Sequence, residues 1–484
     1  MSTRLHRNFA SIALSNLLAP CFSLALVLAI SRIQGVETLG KYSLMMTVFI
    51  VGQSVAALGL QVVITREVAK SPAGAGRYFM HASLLAMACM LPCAVVAALG
   101  LGEFMSDREV ALALSLTVLG FIPSAVTQCG EAVLLAYERA ADFVVINLGE
   151  TVVRAIIGTI LVFLGCGVVA IAGLILVLRV AAAVTYVIAL RRRKVPVLAP
   201  FDRALLGQLA AYVPVTGMIP IVNTIYARTD MFLLASLASW REVGLYSAAL
   251  RLVDVARSLS PAYARALYPV LARLQIPEHR SRYTTEARRG LRRVIVFSVP
   301  IALVLCGLAQ PLIATLFGAN LVPAAPVLQV LAWTVVPMAL SVTLAQVLFS
   351  ADRQSVDLGV NVVGTLVSVT ACAVLIPRFG ALGAAAAVVL SSTTYAVLEY
   401  VGVCAFVGVS GVGRDLARLG MVTVASAAAL EVFAGMGPLV ATVVGLGVYG
   451  AGVVASGMLE RQEIQRVLRV IRSGVMRAEG RPVL

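Results

Sequence analysis

Gly167 to Leu190 reads GVVAIAGLILVLRVAAAVTYVIAL, with the single charge Arg179, and runs directly into Arg191-Arg192-Arg193-Lys194. At 1.5 Å per helical residue this stretch crosses the ~30 Å hydrocarbon core of a bilayer, and the basic cluster marks the face on which it ends. Similar apolar stretches recur outward from it, from Phe9 to Met458. The spans read 9–33, 39–63, 79–101, 110–136, 143–164, 167–190, 207–236, 242–270, 290–317, 322–350, 358–376, 380–408, 417–435 and 437–458. A composition of 60% hydrophobic and 13% charged residues, with mean hydropathy +0.97, lies outside the range of soluble globular chains. The polar breaks reach about 25 residues, whereas an extramembrane catalytic domain needs ~50 to build a core. The expected fold class is all-α, a polytopic membrane protein of about fourteen transmembrane helices, working between its helices and not as an enzyme.

Charge fixes the register of these spans. With the N-terminus in the cytoplasm, 27 of the 38 Lys and Arg residues fall in cytoplasmic segments. Five, Arg32, Lys41, Arg108, Arg241 and Arg378, fall on the other side. The bias alternates loop by loop, and one lost span would invert everything after it. Both termini are therefore predicted to be cytoplasmic, in a bacterial inner membrane. The first apolar segment, although preceded by Arg4 and Arg7, is read as a retained helix because of its length and the lack of a small-residue cleavage site.

The net charge of +15 borders membrane spans and carries no aromatic platform for bases, so membrane lipids, and not nucleic acid, are the expected partners. After Met458, Ile464, Val467, Leu468, Ile471 and Val475 alternate with arginines at helical spacing; residues 459–484 are expected to lie on the membrane surface as a basic amphipathic tail. All eight cysteines fall in apolar stretches without His or carboxylate partners at ligand spacing, so neither metal nor cofactor is expected.

The chain carries an internal repeat. Gly40-Lys41-Tyr42-Ser43 is echoed by Gly244-Leu245-Tyr246-Ser247 at an offset of 204. Glu138-Arg139 with Asn147 is echoed by Asp352-Arg353 with Asn361 at 214, and Gly173 and Tyr186 by Gly383 and Tyr395 at 210 and 209. Two six-helix lobes in the same orientation follow: 1–200 with helices 1–6, and 201–412 with helices 7–12. Residues 413–458 add helices 13 and 14 outside the repeat. Such parallel repeats are a transporter plan with the substrate site between lobes.

Six arginines fall inside the spans, more than three residues from either end: Arg154, Arg179, Arg228, Arg251, Arg257 and Arg265. Each costs about 2.5–3.5 kcal/mol at a helix centre unless it faces a wet cavity or a partner, so function is the default reading. In helix 8, Arg251, Asp254, Ser258, Pro261 and Arg265 recur at helical spacing with Arg257 three residues beyond Asp254, a polar stripe with more guanidiniums than carboxylates. Such an excess invites an anion. In helix 5 the i,i+4 spacing predicts an ion pair between Glu150 and Arg154. Arg179 has no carboxylate in its own helix and reads as a cavity residue. Arg228 and Asp230 need partners on other helices, and Pro214, Gly217 and Pro220 make helix 7 a bending element. Glu131, Glu399, Glu431 and His81 are candidate proton carriers.

The segments Gly35–Ser43 (GVETLGKYS), Gly59–Ala69 (GLQVVITREVA), Arg228–Leu234 (RTDMFLL) and Val243–Leu252 (VGLYSAALRL), together with Asp352-Arg353 and Asn361, give the chain a resemblance. It resembles the polysaccharide transporter family of the multidrug/oligosaccharidyl-lipid/polysaccharide flippase superfamily, which includes O-antigen and exopolysaccharide repeat-unit flippases. The resemblance implies a lobed fourteen-helix fold and export of undecaprenyl-pyrophosphate-linked oligosaccharides, with a cationic cavity receiving the headgroup. It carries over Arg32, Arg66, Arg228, Asp230, Arg251 and Asp254 as site residues, beside Arg257, Arg179 and Arg154 from the charge argument. A polysaccharide polymerase or glycosyltransferases are the implied partners. The alternatives are a multidrug or cation antiporter of the same superfamily, which should have an acidic cavity, a lipid II flippase, and a scramblase-like channel.

Overall fold

A computed structural model describes residues 2–104, 107–217, 224, 227–258, 260–275, 278, 280–351, 353–409 and 411–458, in places by backbone alone. The described residues are helical, with no strand among them. Among the described residues seven helices are individually long and apolar enough to cross a bilayer, and an eighth is a bent pair. The basic tail, Pro220, Asp352 and the side chain of Arg265 lie outside the described residues.

By contact the chain divides into two compact units. The first comprises Met1–Ser247, Leu316–Leu321 and Cys372–Ala381. In it, α1 (Ser2–Ile33) packs on α7 (Ala140–Phe163), α5 (Arg108–Leu119) on α8 (Val168–Arg192), and α3 (Leu60–Lys70) and α4 (Ala75–Phe104) on α6 (Phe121–Ala136). Leu60, Ile64, Ala82, Ala132, Leu134 and Tyr186 form part of its closed core. The expected span 39–63 is not one rod: α2 (Val36–Ala57) ends at Leu58, which with Gly59 adopts left-handed backbone, and α3 departs at 42°. Asp107 caps α5 through the N–H groups of Glu109 and Val110, at 3.0 and 3.3 Å. Lys41 of α2 reaches Asp107 and Glu109 at 2.8 and 2.7 Å, and Glu109 accepts from Val168 N–H at 3.3 Å, tying the ends of α2, α5 and α8 together. After α9 (Arg203–Thr216), which ends two residues past Pro214 as that residue's position predicts, come α10 (Thr229–Leu237) and α11 (Trp240–Arg257).

The second unit comprises Ala248–Thr315, Val322–Ala371 and Leu382–Leu484. Its core is built by α13 (Arg280–Gly307), α16 (Val335–Ser350), α18 (Val412–Val432) and α19 (Pro438–Ala455). Arg288 grips Asp415 in a two-pronged ion pair at 2.8 and 3.0 Å, and Tyr449 donates to Val296 O at 3.0 Å. The expected helix 8 (242–270) is interrupted: α11 stops at Arg257 and α12 (Ser260–Arg273) restarts with Pro261, a residue that suits the first turn because it has no N–H to lose. Leu259 between them and the Arg265 side chain lie outside the described residues. Expected helices 11 and 12 are joined almost without a loop in α17 (Gln354–Gly402), whose only non-helical residue is Gly380 at φ +54°. Glu242 Oε2 accepts from the Ala381 N–H at 2.7 Å and caps the second half.

Candidate functional site

Two polar clusters stand within the apolar helices, one in each unit. In the first unit Arg179 of α8 is nearly buried, pairs with Glu150 of α7 at 2.8 Å and lies 5.0 Å over the ring of Phe49. This corrects the expected Glu150–Arg154 pair. A partner on the neighbouring helix reaches the buried carboxylate, whereas Arg154, one turn along on the same helix, makes no ion pair among the described residues. With its carbonyl turned to Arg179, Gln53 accepts from both guanidinium nitrogens at 3.1 and 3.2 Å. Gln53 in turn meets Gln128 at 2.8 Å, and Gln128 meets Gln61, so an amide row leads away from the cation. Beside it Tyr186 donates to Asn147 at 3.0 Å and Asn147 to Glu131 at 3.2 Å. Two residues singled out by the repeat are thus bonded to each other across α7 and α8.

In the second unit Arg257 lies 3.6 Å from Asp254 and donates to Thr334, while its Nε is buried without a partner. Arg251, one turn before Asp254, is half-buried and has no ion pair among the described residues. Arg251, Asp254 and Arg257 thus stand within two turns of α11. Deeper in this unit, Tyr395 donates to Asp357 at 3.4 Å, and Asn361 Nδ2 donates to the same carboxylate at 3.1 Å. Glu399 is fully buried, no donor reaches either of its oxygens, and the polar groups acting on it are Asp357 and Ser341.

The remaining candidates are held by nearby backbone and side chains. Arg32 donates from Nε to Leu316 O at 2.9 Å, satisfying a carbonyl in the last turn of α14 (Ala309–Phe317). Arg66 is exposed on α3, paired with Glu67 at 2.8 Å and lying 5.6 Å over the Tyr212 ring. Asp230 is buried and accepts from Tyr246, the tyrosine of the second Gly-x-Tyr-Ser copy, and Arg228 occupies the N-cap of the same helix. His81 is buried between two backbone groups: Nε2 accepts from Asp202 N at 2.7 Å and Nδ1 faces Arg77 O at 2.7 Å, so the ring is held as the Nδ1–H tautomer. The Leu205 N–H and then Arg77 hold the Asp202 carboxyl below its ordinary range. Sequence reasoning missed Gln53, Gln61 and Gln128; their signal is three glutamines inside apolar stretches, as informative as an arginine but cheaper to bury.

A family model described as polysaccharide biosynthesis protein matches residues 28–326. Among solved structures, a lipid II flippase, MurJ, in an inward closed conformation is similar at a TM-score of 0.72 and 13% identity, over 91% of this chain and 97% of that one. An inward-facing multidrug resistance MATE family transporter of the MOP superfamily is similar at 0.65 and 14%, over 84% and 100%. A MOP superfamily transporter from Pyrococcus furiosus, described as having a binding pocket of reverse polarity, is similar at 0.53 and 14%, over 84% and 94%. No curated protein matches by sequence. At these identities the likeness shows the fold, which is that of MOP-superfamily transporters.

Proposed function

The chain belongs to the polysaccharide biosynthesis protein family, and on that premise we propose that it exports a polyprenyl-diphosphate-linked oligosaccharide from the cytoplasmic to the outer leaflet of a bacterial inner membrane. The observation that carries this is the placing of two in-span arginines, Arg251 and Arg257, within two turns of α11, with Asp254 between them paired to Arg257 at 3.6 Å. A bilayer-depth cation without a full counter-charge is expensive unless an anion completes it. A diphosphate supplies two or three charges and the oxygen geometry that a guanidinium fork binds through two bonds. In this reading Arg251 and Arg257 receive the diphosphate, and Arg179, Arg154 and the glutamine row receive the sugars. Arg228, Asp230 and Asp254 hold the backbone and counter-charges around them, and Arg32 and Arg66 serve helix ends.

The lobes 1–200 and 201–412 alternate access while the prenyl tail stays in lipid, with both termini cytoplasmic. A cation antiporter is disfavoured by the same two arginines. A lipid II flippase would share the diphosphate chemistry and differ in the sugar. The test is mass spectrometry of lipid-linked saccharides in cells lacking the protein and in cells complemented with wild type or Arg251→Ala. Accumulation of a complete polyprenyl-diphosphate oligosaccharide, relieved by wild type and not by Arg251→Ala, is expected. An unchanged pool in a strain without a second flippase overturns the reading, and accumulation of lipid II redirects it.

A further inference from the structure

A cavity of about 350 Å³ opens at one end of the second unit, lined by Leu274, Arg280, Tyr283, Arg353, Phe406 and Val407 among others. Among the described residues none of the lining is acidic, and neither Arg280 nor Arg353 makes an ion pair. Arg353 is laid over the Phe406 ring at 5.5 Å, which fixes the guanidinium plane without neutralising it. Phe406 stands in a single π-helical turn, Val403–Val407, followed by Gly408 at φ +80°, an irregularity of the kind that recurs at functional sites. Tyr283 is not available as a ligand: its hydroxyl is bonded to Ser350 at 2.7 Å and serves to brace the wall. The site thus offers two guanidiniums without an ion pair among the described residues, above an apolar floor whose Phe406 is 52% exposed.

We propose that this cavity binds the phosphate of an anionic membrane lipid, with the acyl or prenyl chain running out over Phe406 and Val407. A free anion would use the arginines but not the apolar wall, and a neutral lipid would use the wall but leave both charges uncompensated. The first unit provides an internal control. Its cavity of about 450 Å³ includes Asp142, Arg192 and Arg193, and there Arg193 is paired with Asp142, so the same kind of recess has lost part of its positive charge. None of its lining residues is among those assigned to export, so the proposal does not depend on the export reading.

The experiment is native mass spectrometry of the full-length protein in lipid–detergent micelles, titrated with phosphatidylglycerol, phosphatidylethanolamine, undecaprenyl phosphate or inorganic phosphate. Wild type is expected to retain one phosphatidylglycerol about tenfold more tightly than Arg280→Gln/Arg353→Gln, a loss equivalent to about 1.4 kcal/mol. Arg353→Lys, which keeps the charge and loses the stacked fork, should fall between, and it serves if the double variant does not fold. Arg192→Gln should behave as wild type. Undecaprenyl phosphate displacing phosphatidylglycerol would identify a prenyl phosphate as the ligand; failure to displace it would identify a glycerophospholipid. Equal retention by the double variant, equal retention of phosphatidylethanolamine, or displacement by inorganic phosphate at equal concentration overturns the proposal.

Discussion

Gly40 and Gly244, the leading residues of the two Gly-x-Tyr-Ser copies, pack against each other with no room for a side chain. A Cβ on Gly40 would sit 2.9 Å from Gly244 N and closer still to the Trp240 carbonyl, and one on Gly244 would meet the carbonyl of Val36. The repeat has placed its own two copies face to face within the first unit, and small residues at both positions let the backbones of α2 and α11 touch. Gly40→Ala and Gly244→Ala should therefore each destabilise by about 1–3 kcal/mol, seen as a lower unfolding midpoint in detergent. Gly149→Ala, in open space on α7, should be neutral or slightly stabilising.

Removing Arg179 leaves Glu150 buried with neither oxygen paired, since Glu150 Oε2 already lacks a partner. Arg179→Ala should cost about 3–5 kcal/mol, whereas Arg179→Met combined with Glu150→Leu should recover most of it. Arg154→Ala should cost less than about 1 kcal/mol. A double-mutant cycle on thermal midpoints separates these outcomes; a large coupling between Glu150 and Arg154 would contradict the pairing seen here.

These residues also show what the sequence could and could not disclose. Charge alternation and apolar length predicted the helical membrane fold, and the repeat picked out Asn147 and Tyr186, which bond each other because both lie on the facing sides of adjacent helices. The i,i+4 spacing of Glu150 and Arg154 was misleading because spacing on one helix says nothing of a stronger partner on the next. The break at 257–260 was hidden because Pro261 fits equally well inside a helical period and at a helix start. The glutamine row needs three helices brought together, a relation no local pattern encodes.

Burial raises the Asp107 carboxyl, but the Lys41 ion pair and the N–H groups of Val110 and Glu109 outweigh it and hold the group below its ordinary value. A carboxyl so lowered stabilises the fold above its unfolded pKa of about 3.9, and that contribution is lost as pH falls through the lower folded value. The stability difference between wild type and Asp107→Asn should be greatest above about pH 5 and should shrink steadily in acid. A difference that grew on acidification would have the wrong sign.

Glu399 is fully buried, and neither of its oxygens has a donor among the described residues. Glu399→Gln supplies a permanent donor and should keep the unfolding midpoint within a few degrees of wild type. Glu399→Lys has no room to leave the site and should prevent accumulation in the membrane. Comparable levels for both variants on immunoblots of membrane fractions would show that Glu399 is not enclosed as described.

The single-residue break at Gly380 reverses the chain without a loop: Tyr395 in the second half of α17 reaches Asp357 in the first, so the two halves lie side by side. One left-handed residue therefore does the work that several loop residues do elsewhere, and the fold has no slack there. The whole turn rests on a glycine that cannot become alanine without straining the backbone and displacing the Glu242 carboxylate.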